Sequence, residues 1–203
     1  GKLEEGRRHL QETRTADNAD RIPLLLAESQ LLRDAGKIRE AFELLDTRLA
    51  AQPEQPELLY ESALLAEKLG RQDVLETNLR KLIRIKPDHA HAYNALGYSL
   101  AERNQRLAEA EQLIAKALQL SPDDPFITDS MGWVLYRKGD TAGALTYLQR
   151  AYSIRPDPEI AAHLGEVLWV VGRRDEAKMT WQEAAKAHPG NEVLTEVIKH
   201  FSP

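Results

Sequence analysis

Apolar and small residues recur along the chain with the spacing of one face of an α-helix. Three segments place them at positions i, i+3, i+4 and i+7: Tyr93, Leu96, Gly97 and Leu100; Thr128, Met131, Gly132 and Leu135; and Ala161, Leu164, Gly165 and Leu168. Each is followed by a segment in which a larger residue lies between two small ones: Ala110, Ile114 and Ala117; Ala144, Leu148 and Ala151; and Ala177, Trp181 and Ala184. The small residues predict pairs of closely packed helices, with Trp181 in the core. No segment indicates a β-strand.

The helical pattern repeats every 33 to 35 residues. One series of prolines marks the repeat: Pro53, Pro87, Pro122, Pro156 and Pro189. A second series marks the turn within it: Gly36, Gly70, Asn104, Gly139 and Gly172. Asn104 replaces a glycine because asparagine is the next-best residue for the left-handed conformation that ends a helix. Each repeat is therefore expected to hold two helices with a turn between them.

The period and its marker residues resemble the tetratricopeptide repeat (TPR) family. The resemblance implies an all-α fold, a right-handed α-solenoid of about five helix pairs with a concave and a convex surface. Two early positions depart from the signature, since Ser29 and Ala63 stand where later repeats have glycine. The repeats are expected at residues 22–55, 56–89, 90–124, 125–158 and 159–190.

The two ends also fit a stack of helices. Residues 1–21 are interpreted as the end of a preceding, truncated repeat, so we expect the chain to be part of a longer protein. Residues 191–203 open with Asn191, a favourable helix cap, and carry a single apolar stripe. Such a stripe is typical of a helix that caps the end of a solenoid.

Composition narrows the classes of partner. The chain has 203 residues, a net charge of −5 and no cysteine. The negative charge argues against nucleic acid as a partner. Without cysteine, the chain has no disulfide, thiolate zinc site or cysteine nucleophile. No apolar run approaches the roughly 18 residues of a membrane-spanning helix, so we predict no direct membrane insertion by this segment.

No motif predicts catalysis or a cofactor. His89 and His91 lie close together, but no further metal ligands are evident beside them. Gly97-Tyr98-Ser99 lies in mid-helix and does not continue as a nucleophile elbow. No phosphate loop or dinucleotide fingerprint occurs. We therefore predict a segment without enzymatic activity, metal or cofactor.

The family resemblance directs attention to a second stripe on the first helix of each repeat, which in TPR arrays faces the concave groove. Trp133 and Tyr136 lie on this stripe and are predicted to be surplus to helix packing. Large rings and polar groups together are typical of a peptide-binding surface. For Trp169, packing against the neighbouring helix pair is an equal alternative. The predicted groove residues are Tyr60, Asn94, Tyr98, Phe126, Asp129, Trp133, Tyr136, Arg137, Glu166 and Trp169.

The segment PFITDSMGWVLYRKGDTAGALTYLQRAY, residues 125–152, resembles the C-terminal repeats of proteobacterial outer-membrane TPR lipoproteins. These lipoproteins act as adaptors of a carboxyl-terminal processing protease. The resemblance implies a scaffold that delivers cell-wall hydrolases to a periplasmic protease, with a lipid anchor preceding Gly1. The alternative is a regulatory TPR segment of a larger enzyme or of an envelope polysaccharide export assembly, which leaves a cytoplasmic location open. A third hypothesis is self-association through the groove.

Overall fold

The computed structural model describes residues 2–16 and 21–201, and within these ranges it contains helices and no strands. Those helices are α1 Lys2–Ala16, α2 Arg21–Asp34, α3 Ile38–Ala51, α4 Pro56–Lys68, α5 Gln72–Ile85, α6 Ala90–Glu102, α7 Leu107–Leu120, α8 Pro125–Arg137, α9 Thr141–Ile154, α10 Pro158–Val170, α11 Arg174–Ala187 and α12 Glu192–Phe201. The chain divides into two compact units, Gly1–Ala92 (unit 1) and Tyr93–Pro203 (unit 2). The all-α prediction is confirmed.

The predicted turn residues all end helices in the left-handed conformation. The glycines of the series have φ between 70° and 91°, and Asn104 has φ 53°. After Gly36, the amide of Lys37 donates to the carbonyl of Leu32 at 2.8 Å, which satisfies a free carbonyl at the end of α2. The same bond recurs after Asn104, where Gln105 donates to Leu100 at 2.9 Å. The series thus turns the chain back on itself at each position.

Small residues bring paired helices of unit 2 into close contact. An added Cβ at Gly97 in α6 would lie 2.7 Å from Cγ1 of Ile114 in α7. At Gly132 in α8 it would lie 2.6 Å from Cγ of Leu148 in α9. Both distances are far below an ordinary carbon–carbon contact of about 3.5–4 Å. The predicted close packing is therefore present, and only glycine fits it without displacement.

The last helix covers the apolar face of its neighbours. Leu194 of α12 is buried, and Val197, Ile198 and Phe201 pack against the same core. Trp181 is 1% exposed, as predicted, and its ring stacks on Phe201 with centroids 5.7 Å apart. The apolar stripe of α12 therefore closes the α10–α11 pair.

In unit 1, a buried glutamate lies at the contact between α1 and α2. Glu28 of α2 is 1% exposed, and its carboxylate accepts a hydrogen bond from Nε of Arg7 in α1 at 3.2 Å. Gly6 of α1 faces Leu31 of α2. Helix α1 is therefore fixed on α2 by both an ion pair and apolar contact.

Candidate functional site

Three helices of unit 2 meet around one histidine. Nδ1 of His163 in α10 lies 2.8 Å from Oδ2 of Asp129 in α8. Nε2 of the same ring lies 3.4 Å from the hydroxyl of Tyr98 in α6. The His163 ring stacks on the ring of Trp133, with centroids 4.2 Å apart and planes inclined by 21°. We refer to Tyr98, Asp129, Trp133 and His163 as the His163 cluster.

Helix geometry places the two α8 members of the cluster together. Asp129 and Trp133 are four residues apart and therefore lie on the same face of α8. The start of α8 is fixed by Asp124, whose Oδ1 accepts hydrogen bonds from the amides of Phe126 and Ile127 at 2.9 and 3.0 Å. Pro125 follows at the first helical position, which its ring favours. The cap fixes where α8 begins, four residues before Asp129.

The environment of His163 favours the imidazolium. Burial alone would lower its pKa, but the charge and hydrogen bond of Asp129 oppose burial, and Glu102 and Glu166 add to their effect. The pKa of His163 consequently lies above its ordinary value of 6.5. In the charged form Nδ1–H donates to the Asp129 carboxylate, and the ion pair is shielded because the imidazole side chain is only 15% exposed.

A second pair of polar groups lies beside the cluster. Burial raises the pKa of the Tyr136 hydroxyl, and the charge and hydrogen bond of Glu166 raise it further. Tyr136 and Glu166 are both half-buried. The guanidinium of Arg137 lies 5.8 Å from the centroid of the Trp133 ring, a cation–π contact. The face therefore combines rings with both signs of charge.

Three buried polar atoms here have no hydrogen-bond partner among the described residues: Oδ1 of Asn94, Oδ1 of Asp129 and Nε1 of Trp133. Asn94 lies one turn before Tyr98 on α6. Buried polar atoms are paired in the great majority of native structures, so these three atoms differ from most of the buried polar groups around them. Two of the three belong to the His163 cluster itself.

The structure corrects the prediction for Trp133. The sequence pattern predicted that Trp133 is surplus to helix packing, but its residue is only 5% exposed. The reason is that α10 places His163 flat on the indole, and Tyr136 contacts the same ring at a centroid distance of 5.3 Å. Asp129 is buried for the same reason, at 5% exposure. Tyr136, by contrast, remains half-buried.

The other predicted groove residues separate into different surroundings. Trp169 packs on Trp181 and Phe201, with centroids 5.9 and 6.1 Å away, so its ring belongs to the C-terminal core as the alternative interpretation had it. Phe126 is 38% exposed, and the guanidinium of Arg155 lies 5.3 Å from its ring. Tyr60 lies in unit 1, where its ring contacts that of His89 at 5.2 Å.

The sequence pattern did not identify His163, the centre of the cluster. The predicted groove positions on α10 were Glu166 and Trp169, and His163 lies three residues before Glu166. The available signal was a histidine about one helical turn before a predicted groove position. Residues three apart on a helix differ in direction by only about 60°, so periodicity alone does not decide which of them face the groove.

Neither a metal site nor a membrane span emerges from the part of the chain that the structure describes. Residues 2–16 and 21–201 contain no group of three or more histidine, cysteine, aspartate or glutamate residues that could hold a metal ion. No helix in those ranges is both long and apolar enough to cross a membrane.

Comparison with curated proteins identifies relatives that share the repeats. The chain is 43% identical over 166 residues to the TPR repeat-containing protein PA4667 of Pseudomonas aeruginosa, a match that covers 82% of this chain and 28% of that protein. It is 34% identical over 112 residues to the protein O-mannosyl-transferase Tmtc1 of Drosophila melanogaster, covering 52% of this chain and 13% of the relative. The chain thus spans less than a third of the length of either relative.

Two solved structures share the fold. The thermophilic TPR protein TTC0263 of Thermus thermophilus superposes with a TM-score of 0.77 at 24% identity, over 86% of this chain and 96% of that one. The structure of pilF from Pseudomonas aeruginosa gives a TM-score of 0.67 at 19% identity, over 99% and 86% of the two chains. The tetratricopeptide repeat model itself matches residues 26–74, 75–125 and 130–192. The chain therefore belongs to the tetratricopeptide repeat family.

Proposed function

We propose that this chain is a non-catalytic scaffold that binds a polypeptide on the face of unit 2 formed by α6, α8 and α10. The observation that carries the proposal is the His163 cluster, in which a histidine, a carboxylate and two aromatic rings from three helices converge. TPR proteins generally mediate protein–protein interactions. Polar groups that fix direction and rings that supply contact area are what such binding requires.

The accessible part of this face consists of half-buried side chains around the buried indole. Tyr98, His163 and Glu166 line it together with Tyr136. A ligand chain laid across α6, α8 and α10 would meet hydroxyl, imidazolium and carboxylate groups in turn. Trp133 supports these groups from below rather than meeting the ligand first.

The finer role that we propose is that of an adaptor delivering cell-wall hydrolases to a periplasmic protease. It is supported by the resemblance of residues 125–152 to the repeats of outer-membrane TPR lipoproteins with that role. The corresponding location is the periplasm, with anchoring to the outer membrane through a lipid outside this sequence. A cytoplasmic location is the alternative.

Substitution of Tyr136 by alanine tests the groove and the adaptor role together. Tyr147→Ala is the matched control, since Tyr147 is a half-buried tyrosine on α9 outside the cluster. Immobilised chains would be incubated with envelope extract of Pseudomonas aeruginosa, and bound proteases and cell-wall hydrolases quantified. We expect capture by the native chain and by Tyr147→Ala, and a loss of about ten-fold for Tyr136→Ala. Equal capture by both variants would contradict binding at this face.

A second candidate is a regulatory TPR segment of a larger enzyme or of an envelope polysaccharide export assembly. The observation that favours it is the similarity to Tmtc1, which is by name a protein O-mannosyl-transferase and of which the chain covers 13%. In this case the face would bind one permanent subunit of the assembly rather than a succession of transient protein substrates. Sequencing of the complete gene decides between the two, because an adjoining catalytic domain favours the enzyme and repeats alone behind a lipidation signal favour the adaptor.

A further inference from the structure

A cleft of about 320 Å³ opens between α11 and α12, and the side chains that line it are Lys178, Trp181, Gln182 and Ile198. Trp181 is buried, and Ile198 is the half-buried apolar residue that α12 contributes. The volume lies at the lower end of the range of ligand pockets, roughly 300–1,000 Å³. None of the four residues belongs to the His163 cluster, so the cleft is separate from the polypeptide-binding face proposed above.

Two cations lie together beside this cleft. Arg174 is one helical turn before Lys178 on α11, and their charged groups lie 5.2 and 5.8 Å from the centroid of the same ring, that of Trp169. Neither forms an ion pair with a carboxylate of the described residues, whereas the adjoining Arg173 pairs with Glu176 at 2.6 Å. Like charges one turn apart repel each other, so an anion bound between them would stabilise the arrangement.

The two cations donate hydrogen bonds and accept none, so the group that they bind must be an acceptor. A carboxylate fits this requirement because it offers one oxygen to each cation. Lys178 belongs both to the cation pair and to the lining of the cleft, so the charged and the apolar parts of a ligand would be bound side by side.

We propose that the cleft between α11 and α12 binds a small carboxylate that carries a branched apolar body about the size of a leucine side chain. The carboxylate lies between Arg174 and Lys178, and the apolar body packs against Ile198 and the aliphatic stem of Lys178. Two sources supply this chemistry, namely a free carboxylic acid and the last residue of a polypeptide. The site goes beyond the proposed function and does not depend on it.

Nuclear magnetic resonance with 4-methylpentanoate as the probe tests the site in the native chain. The side-chain methyl signals of Ile198, assigned by their loss in Ile198→Val, should shift on titration, with a Kd on the order of 1 mM. The uncharged 4-methylpentanamide, which has the same apolar body, should bind about ten-fold more weakly, and so should acetate, which has the charge alone. A probe that leaves the Ile198 signals unchanged overturns the proposal, as does an amide or acetate that binds as well as the acid.

The double variant Arg174→Gln/Lys178→Gln tests the role of the cations. Both side chains are exposed, so the substitutions leave the core intact, which circular dichroism checks. Binding of 4-methylpentanoate should weaken about ten-fold, and binding of the amide should be unchanged. Lys186→Gln is the matched control, since Lys186 is an exposed lysine on α11 eight residues after Lys178. Equal binding of the acid by the double variant and the control overturns the proposal.

A short peptide distinguishes the two sources of the ligand. Acetyl-glycyl-glycyl-leucine is titrated with a free terminal carboxylate and, as its control, with a terminal amide. If the free peptide binds about ten-fold tighter than 4-methylpentanoate, the site recognises the end of a polypeptide. If it binds equally or more weakly, the ligand is a free acid. Either result supports the site, whereas a peptide that binds the cleft equally well as acid and as amide contradicts recognition of the carboxylate.

Discussion

Substitution of Gly132 by alanine tests how closely α8 and α9 pack. The added methyl carbon would lie 2.6 Å from Cγ of Leu148 and 3.1 Å from the carbonyl oxygen of Ala144. Leu148 is fully buried, so it has no open space into which to move. The helices must separate by about 1 Å to restore ordinary contact distances. Because the second contact is with backbone, a change of rotamer does not relieve it.

The expected change in the free energy of unfolding is the balance of two opposing effects. Overpacking of a tight core costs about 1–3 kcal/mol, and the better helix propensity of alanine returns about 1 kcal/mol. We therefore expect the free energy of unfolding to fall by about 1–2 kcal/mol. Gly6→Ala is the control, since Gly6 also lies within a helix but faces only the tip of the Leu31 side chain at 3.2 Å. The free energy of unfolding of the Gly6→Ala chain should be unchanged or slightly raised.

Urea denaturation measures the stability of both glycine variants. All three tryptophans lie in unit 2, so their fluorescence follows unfolding of the unit that contains Gly132. Far-UV circular dichroism follows the control in unit 1. Leu148→Ala should partly relieve the clash, so the double variant should lose less stability than the sum of the single variants. A Gly132→Ala chain as stable as the native one, or a strictly additive double variant, would refute the close-packing argument.

Three further predictions concern charge and backbone conformation. Because the pKa of His163 is raised in the folded chain, its charged form stabilises the fold. This contribution is complete below a pH of roughly 6.5 and is lost as the pH rises through the folded pKa. Urea denaturation across this range should show the loss, and a His163→Ala chain with the same pH dependence would contradict it. Asn104→Ala should cost about 1 kcal/mol in urea denaturation because alanine tolerates φ 53° poorly, whereas Asn104→Gly should not, and equal stabilities would exclude this strain. Arg7→Ala should cost about 1–3 kcal/mol by removing a partner from the buried Glu28 carboxylate, and an unchanged unfolding curve by circular dichroism would show that the pair contributes nothing.

The helical hairpins could be predicted because local chemistry specifies them. Glycine or asparagine at a positive φ is a requirement of the turn itself, which is why Asn104 was identified without a structure. Small residues at fixed offsets likewise predict a close helix pair, and Gly132 opposite Leu148 fulfils this prediction. The position of Trp181 followed from the same offsets. These features depend on residues within one repeat.

The composition of the site could be predicted only in part, because it depends on what the following repeat places against α8. Asp129 and Trp133 were correctly placed on one face by their spacing. The side chain that meets them, His163, comes from α10 and lies 34 residues after Asp129. Periodicity within α8 holds no information on the size or polarity of that neighbour. The burial of Trp133 was therefore predicted wrongly, although the helix and the face were right.

The tight core and the His163 cluster are mechanically connected through α8. Gly132 lies directly before Trp133 and three residues after Asp129, so its contact with Leu148 sets the distance of both side chains from α9. His163 reaches Asp129 at 2.8 Å only if α8 keeps this position relative to α10. A shift of about 1 Å is enough to lengthen a charge-assisted hydrogen bond well beyond its ordinary range. Gly132→Ala should therefore lower the pKa of His163 toward that of a histidine without the Asp129 bond, even in molecules that remain folded. The carbon-bound protons of the imidazole ring give nuclear magnetic resonance signals whose chemical shifts follow this titration. An unchanged midpoint would show that the His163 cluster is independent of the packing between α8 and α9.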